Sequence, residues 1–293
     1  MAKRPPAAPA VEVLDERLHP LLDPDALLCH LADGFRWAEG PVYVPDDDVL
    51  LWSDIPGDRR MRLDVASGSV SVADRPAGFC NGHTLDRQRR VVACEHGSRS
   101  VVRFTAEGTR EVVADRFDGM RFNSPNDVVV ASDESVWFSD PTYGIDGDEE
   151  GHRAESEIGA SNVYRIDART GAVTAEITDM VQPNGLAFSL DETSLYVSDT
   201  GVSHVEDGPR HLRRYDVADS GVVGGGEVVA TCPEGVFDGF RLDEAGRIWA
   251  SGRRGVHCYE PDGTLLGTIR LPEVCANVEF GGSDGRTLFM TAN

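Results

Sequence analysis

A phrase of four parts recurs six times in this chain: a polar residue, an apolar run, an Asp-centred turn and a second apolar run. Its clearest copy runs from Asn184-Gly185-Leu186-Ala187-Phe188 through Leu190-Asp191-Glu192-Thr193-Ser194 to Leu195-Tyr196-Val197-Ser198-Asp199. The other copies open at Glu39, Asn81, Asn126, Asp238 and Asn277, at successive spacings of 42, 45, 58, 54 and 39 residues. Short strands and turns repeating every ~40–50 residues predict a β-propeller, one sheet per repeat. The expected fold is therefore all-β, a six-bladed β-propeller. Only about two strands follow the last opening; Val11–Leu14 and Leu27–Trp37 read as strands or a short helix, and N-terminal strands there are expected to complete blade six and protect its edges.

In a propeller, the first strand of every blade runs beside the central channel, so equivalent positions converge on one axis. Here those positions carry Glu39, Asn81, Asn126, Asn184, Asp238 and Asn277. Six oxygen-bearing side chains are poor material for a packed core, and an oxygen-lined cup suits one hard divalent cation. For any single Asn before Gly, a turn residue is the plainer explanation. Turns alone do not require an oxygen in phase six times.

The chain is expected to form one domain over residues 11–293, preceded by a Pro/Ala-rich disordered tail at 1–10. Net charge is −22, and Lys3 is the only lysine. That balance excludes nucleic acid as a partner, since phosphate binding needs concentrated positive charge. With no apolar run of ~18 residues and no secretion signal, neither a membrane span nor export is expected. The six cysteines form no CxxC pair and read as reduced thiols of a cytoplasmic protein. Cys94, beside Glu95 and His96, is the one place where a nucleophilic thiol could be assembled. Two insertions lengthen the third and fourth repeats, at Tyr143–Ser161 and Gly201–His211, and both are candidate lids or specificity loops.

Taken in order, Trp37-Ala38-Glu39-Gly40-Pro41-Val42-Tyr43, Asn81-Gly82-His83-Thr84-Leu85-Asp86, Asn123-Ser124-Pro125-Asn126-Asp127-Val128, Pro183-Asn184-Gly185-Leu186 and Phe237-Asp238-Gly239-Phe240 resemble the gluconolactonase/SMP-30/luciferin-regenerating-enzyme family. The resemblance runs from about Leu31 to the end, one motif per blade. It implies a six-bladed propeller holding one divalent cation through Glu39, Asn184 and Asp238, with Asn126 beside metal and substrate. It also implies an Arg that binds substrate hydroxyls. Arg121 is the candidate, although Asn123-Ser124-Pro125 lengthens the segment between it and Asn126. His83 and Asn81, at the second opening, are further candidates to line the substrate pocket.

Two carboxylates with neutral amide oxygens suit Ca²⁺ first, then Mg²⁺ or Mn²⁺; Zn²⁺ would lack its favoured Cys or His ligands. Such a cation polarises an ester carbonyl and activates water, with Asp238 as the general base or the ligand orienting that water. The expected activity is hydrolysis of a small sugar lactone, gluconolactone-like. The alternatives are hydrolysis of another ester or an organophosphate on the same metal, or a metal-stabilised binding propeller without turnover. Nothing resembles a nucleophile elbow, a phosphate loop or a dinucleotide fingerprint. One copy of the chain suffices for this chemistry, and the sequence leaves its oligomeric state open.

Overall fold

Each recurring phrase becomes a pair of antiparallel strands joined by one kind of turn. A computed structural model describes residues 7–293. In all six copies, a backbone N–H closes an i→i+3 turn at a residue of positive φ: Asp48, Arg89, Glu134, Glu192, Gly246 and Gly285. In five of these turns an Asp side chain accepts backbone N–H groups ahead of it: Asp86, Asp133, Asp191, Asp243 and Asp284. The Asp-centred signal in the sequence is thus a hydrogen-bonded turn.

The first sheet is Ala38–Val44, Val49–Asp54, Arg59–Asp64 and Ser69–Asp74. The second is Cys80–Leu85, Val91–Glu95, Ser100–Phe104 and Arg110–Ala114. The third comprises Val128–Val130, Val136–Asp140, Asn162–Ile166 and Val173–Ile177. Pro183–Phe188, Ser194–Asp199, His211–Ala218 and Gly221–Thr231 form the fourth. The fifth runs outward through Phe240–Leu242, Ile248–Gly252, Gly255–Tyr259 and Leu265–Arg270, and ends on Ala10–Val13. Cys275–Gly281 and Thr287–Ala292 make a two-stranded ribbon between the fifth sheet and the first. Apolar clusters fill the wedges between neighbours, such as Val92, Val101, Phe122, Phe138 and Tyr164 between the second and third sheets.

The architecture is an all-β propeller, but it corrects the expected closure. Five sheets, not six, have four strands or more, and the last repeat is a ribbon. Ala10–Val13 adds to the fifth sheet, with Val11 opposite Ile269, instead of completing the ribbon. Gly267 is the physical reason. A Cβ there would stand 2.2 Å from the Glu12 carbonyl oxygen, so only glycine lets this strand in, and Glu12 then pairs with Arg270. The ribbon's missing strands are replaced by packing: Leu18 and Leu21 of the 3₁₀-helix Glu16–Leu21 share a cluster with Phe280, Leu288 and Met290. Leu27–Trp37 forms no strand beyond an isolated Ala7–Leu28 bridge. Of the expected tail, residues 1–6 lie outside the described residues, while Ala7 makes that bridge and Ala10 opens a strand. Among the described residues, no helix is long and apolar enough to cross a membrane.

Candidate active site at the propeller axis

The openings of neighbouring repeats touch, and the glycine that follows four of the six opening residues is what lets them do so. A Cβ on Gly40 would lie 2.0 Å from the Asn81 carbonyl oxygen, and one on Gly185 would lie 2.4 Å from that of Asp238. At Gly239 it would collide with the Asn277 amide, 1.9 Å from Cγ. Asn-Gly and Asp-Gly therefore encode close approach of inner strands at least as much as turns. Serines on the second strands complete the ring. Ser53, Ser139 and Ser198 donate to the carbonyls of Asn81, Asn184 and Asp238, each in the next sheet, at 2.7, 2.6 and 2.9 Å. The sequence reading passed over these serines, although Ser closes four of the six copies. Asp140 and Asp199 are backbone acceptors: each takes two N–H groups from the segment leading into its own inner strand.

Glu39, Asn81, Asn126, Asn184 and Asp238 line one cavity of about 200 Å³. Asn277 donates to Glu39 Oε2 at 2.9 Å, and the Gly40 N–H donates to the same oxygen. The other oxygen, Oε1, is buried with no partner. Burial, and then the charge of Asp238, push the Glu39 carboxyl well above the usual carboxylate range. Asp238 is pushed up to about 7 by burial, then by the charges of Asp127 and Glu150, against a hydrogen bond from Asn184. Neither Lys nor Arg lines the cavity to balance these carboxylates. Convergent carboxylates, amide oxygens and an orphaned buried oxygen are what a hard divalent cation satisfies, so the residues fit the group that the sequence implied.

Two other expected site residues stand elsewhere. His83 is fully buried between the first two sheets, its Nδ1 2.7 Å from the Gly40 carbonyl oxygen, and it does not line the cavity. Nor does Arg121, whose guanidinium donates to the Ser98 carbonyl at 2.9 Å while its N–H meets Glu157. The extra segment Asn123-Ser124-Pro125 accounts for this: it anchors the third-repeat insertion. Asn123 bonds Ala160 and Ser156, and Ser124 Oγ accepts the Gly144 N–H. Cys94 is buried and its thiol is pushed well above its ordinary value by burial, which removes it as a nucleophile.

What the sequence missed comes from the insertions and their borders. Tyr143, Glu150, Thr200, Trp37 and Val236 complete the cavity wall. Tyr143 Oη bonds Thr200 Oγ1 at 2.7 Å and Ser203 Oγ at 2.8 Å, tying the two insertions together. His96 lies beneath them, with Nδ1 2.9 Å from the Glu150 carbonyl oxygen and Nε2 3.3 Å from Asn81 Nδ2. Donation from Nδ1 fixes the tautomer whose Nε2 accepts from Asn81. The length of the insertions was the signal that pointed to Tyr143, Glu150 and Thr200; Trp37 stands in the first motif, His96 beside the second opening is a candidate to line the pocket, and nothing in the sequence singles out Val236.

A β-propeller whose repeat openings gather carboxylates and amides in one axial cavity defines the class: a ring scaffold with a single central polyvalent site. Residues 37–293 match the family described as SMP-30/Gluconolactonase/LRE-like region, and the chain belongs to that family. It is 29% identical to a gluconolactonase of Zymomonas mobilis over 94% of this chain and 82% of that one. It is 30% identical to a pentonolactonase of Haloferax volcanii over 87% and 81%. A solved structure of a gluconolactonase from Xanthomonas campestris superimposes with a TM-score of 0.90 at 33% identity, covering 100% of this chain and 97% of that one. The relatives support a hydrolase acting on lactones, with a small-molecule lactone as substrate.

Proposed function

We propose that the protein hydrolyses a sugar lactone of the gluconolactone kind with one divalent cation, Ca²⁺ first, held by Glu39, Asn184 and Asp238 with Asn126 beside it. The observation that carries this reading is the convergence of all four on one cavity, with the Glu39 Oε1 atom buried and unpartnered. When bound there, such a cation supplies Lewis-acid polarisation of a carbonyl and charge stabilisation for an oxyanion.

The chain's own residues do the rest. Asn277 and the Gly40 N–H fix the Glu39 carboxylate, and Asn184 fixes that of Asp238. Asp238 accepts the proton of the attacking water as the oxygen adds to the lactone carbonyl carbon. Collapse of the tetrahedral intermediate breaks the ring C–O bond. The proton returns to the departing ring oxygen, giving an open-chain hydroxy acid. Asn81 and Asn126 offer amide groups to substrate hydroxyls. Trp37, Ile55 and Val236 supply apolar wall that keeps bulk water away. We place the protein in the cytoplasm, where five buried thiols and the exposed Cys29 remain unpaired.

The test is acid release from δ-gluconolactone above the spontaneous rate, with and without chelator. Chelation is expected to abolish turnover and lower Tm, and Ca²⁺ to restore both; a cation at 100 times its Kd contributes about 2.7 kcal/mol. Asp238→Ala should lower kcat by at least ~10²-fold while leaving a folded ring. Chelator-insensitive turnover would remove the metal, and an active Asp238→Ala would remove its assigned role.

A further inference from the structure

The cavity is closed on one side by a carboxylate that the repeat does not supply. Glu150 belongs to the third-repeat insertion, and the backbone around it is held in place. His96 bonds its carbonyl, the His152 N–H bonds the Gly144 carbonyl at 3.0 Å, and the Ala154 N–H bonds that of Ile145 at 3.0 Å. At Gly151 a Cβ would stand 2.1 Å from the Gly144 carbonyl oxygen, so the segment folds back tightly on itself. A side chain on so braced a loop is a built wall of the site.

Glu150 joins Glu39 and Asp238 in the cavity lining. No cationic side chain lines the cavity. With one divalent cation counted in, three carboxylates still leave the cavity a net anion. A carboxylate is also a strong acceptor for sugar hydroxyls.

Resting on the lactonase reading above, we propose that Glu150 sets the charge selectivity of the site, accepting a hydroxyl of an uncharged polyhydroxy lactone and repelling lactones that carry a second anionic group such as phosphate, sulfonate or carboxylate. Specificity of this kind works by repulsion as much as by attraction. The inner-strand residues set the chemistry, and the insertion chooses the substrate.

The experiment compares kcat/KM for δ-gluconolactone and its 6-phosphate in the wild type, Glu150→Gln and Glu150→Arg. The wild type should prefer the uncharged lactone by on the order of tenfold or more, less so at high salt. Glu150→Gln should raise KM for the uncharged lactone several-fold with a smaller change in kcat, and narrow the preference. Glu150→Arg should favour the phosphorylated lactone. Turnover of δ-gluconolactone with a ratio unmoved by either variant would overturn this inference and leave the lactonase reading intact. Failure of the wild type on both lactones would take both readings down together.

Discussion

His83 shows how a residue can sit one strand turn from a functional position and still serve only the fold. It follows Asn81 by two residues, so in a regular strand it would share that residue's face and point to the axis. A register shift in the first strand pair of its sheet, between Cys80 and His83, breaks that alternation and buries the ring against the first sheet. Burial, then the nearby Arg60, push His83 down to about 3. In the unfolded chain the same ring titrates near 6.5. Between these values the unfolded state binds the proton that the folded state refuses, so stability falls as pH drops from about 6.5 towards 3. Its share is on the order of a few kcal/mol, present in full only above the unfolded value. Chemical denaturation of wild type and His83→Gln from pH 7.5 to 4.5 checks this: the gap between them should shrink with acidification, and a constant gap would contradict it. The axial residues were legible because six oxygens recur in phase. His83 was misplaced because a bulge leaves no mark in residue spacing.

At the scale of elements, the repeat itself was readable and its ends were not. Outer strands lie where apolar and polar residues alternate, as in Arg59–Asp64 and His211–Ala218. The N-terminal strand was expected on the last blade because that blade lacked partners. Its true edge depends on a glycine in a distant strand, which no local pattern announces. The insertions were visible as excess length, yet their mutual contact was not, because it joins residues ~60 apart through hydroxyls. That contact makes a prediction. Tyr143→Phe removes the bonds to Thr200 and Ser203 but keeps the ring against His204. Stability should change by only about 1 kcal/mol. Loosening of the 201–211 segment should appear as faster amide exchange there and a several-fold higher KM, with kcat less affected. Unchanged exchange in 201–211 would show that the two insertions hold their places independently.

Across the whole molecule, the ring must also manage the charge that it concentrates along its own axis. Five inner strands and the ribbon bring Glu39, Asp238, Asp127 and Glu279 towards the axis, Glu39 and Asp127 buried and the other two half-buried, an arrangement that Coulomb repulsion alone would open. Arg241 is the compensating charge. It is half-buried on the fifth sheet's inner strand, with Nε 2.7 Å from Glu279 of the ribbon and Nη1 3.9 Å from Asp127 at the third sheet. Both carboxyls are raised by burial and held back by this guanidinium. One side chain therefore ties three parts of the ring together beneath the proposed metal site. Arg241→Met keeps much of its volume and leaves buried Asp127 and half-buried Glu279 without their cation, a change that costs less than the ~3–5 kcal/mol of a fully buried pair. The expected result is a large drop in denaturation midpoint at neutral pH. Part of that drop should be recovered on acidification, as Asp127 and Glu279 take up protons, or by the double change Arg241→Met with Glu279→Leu. Because Arg241 also faces the charge of Glu39, the single variant should bind Ca²⁺ more tightly per folded molecule, read by calorimetry, even as the fold weakens. Equal loss of stability in the single and double variants would mean that Arg241 acts by packing, and that the ring tolerates its axial charge by other means.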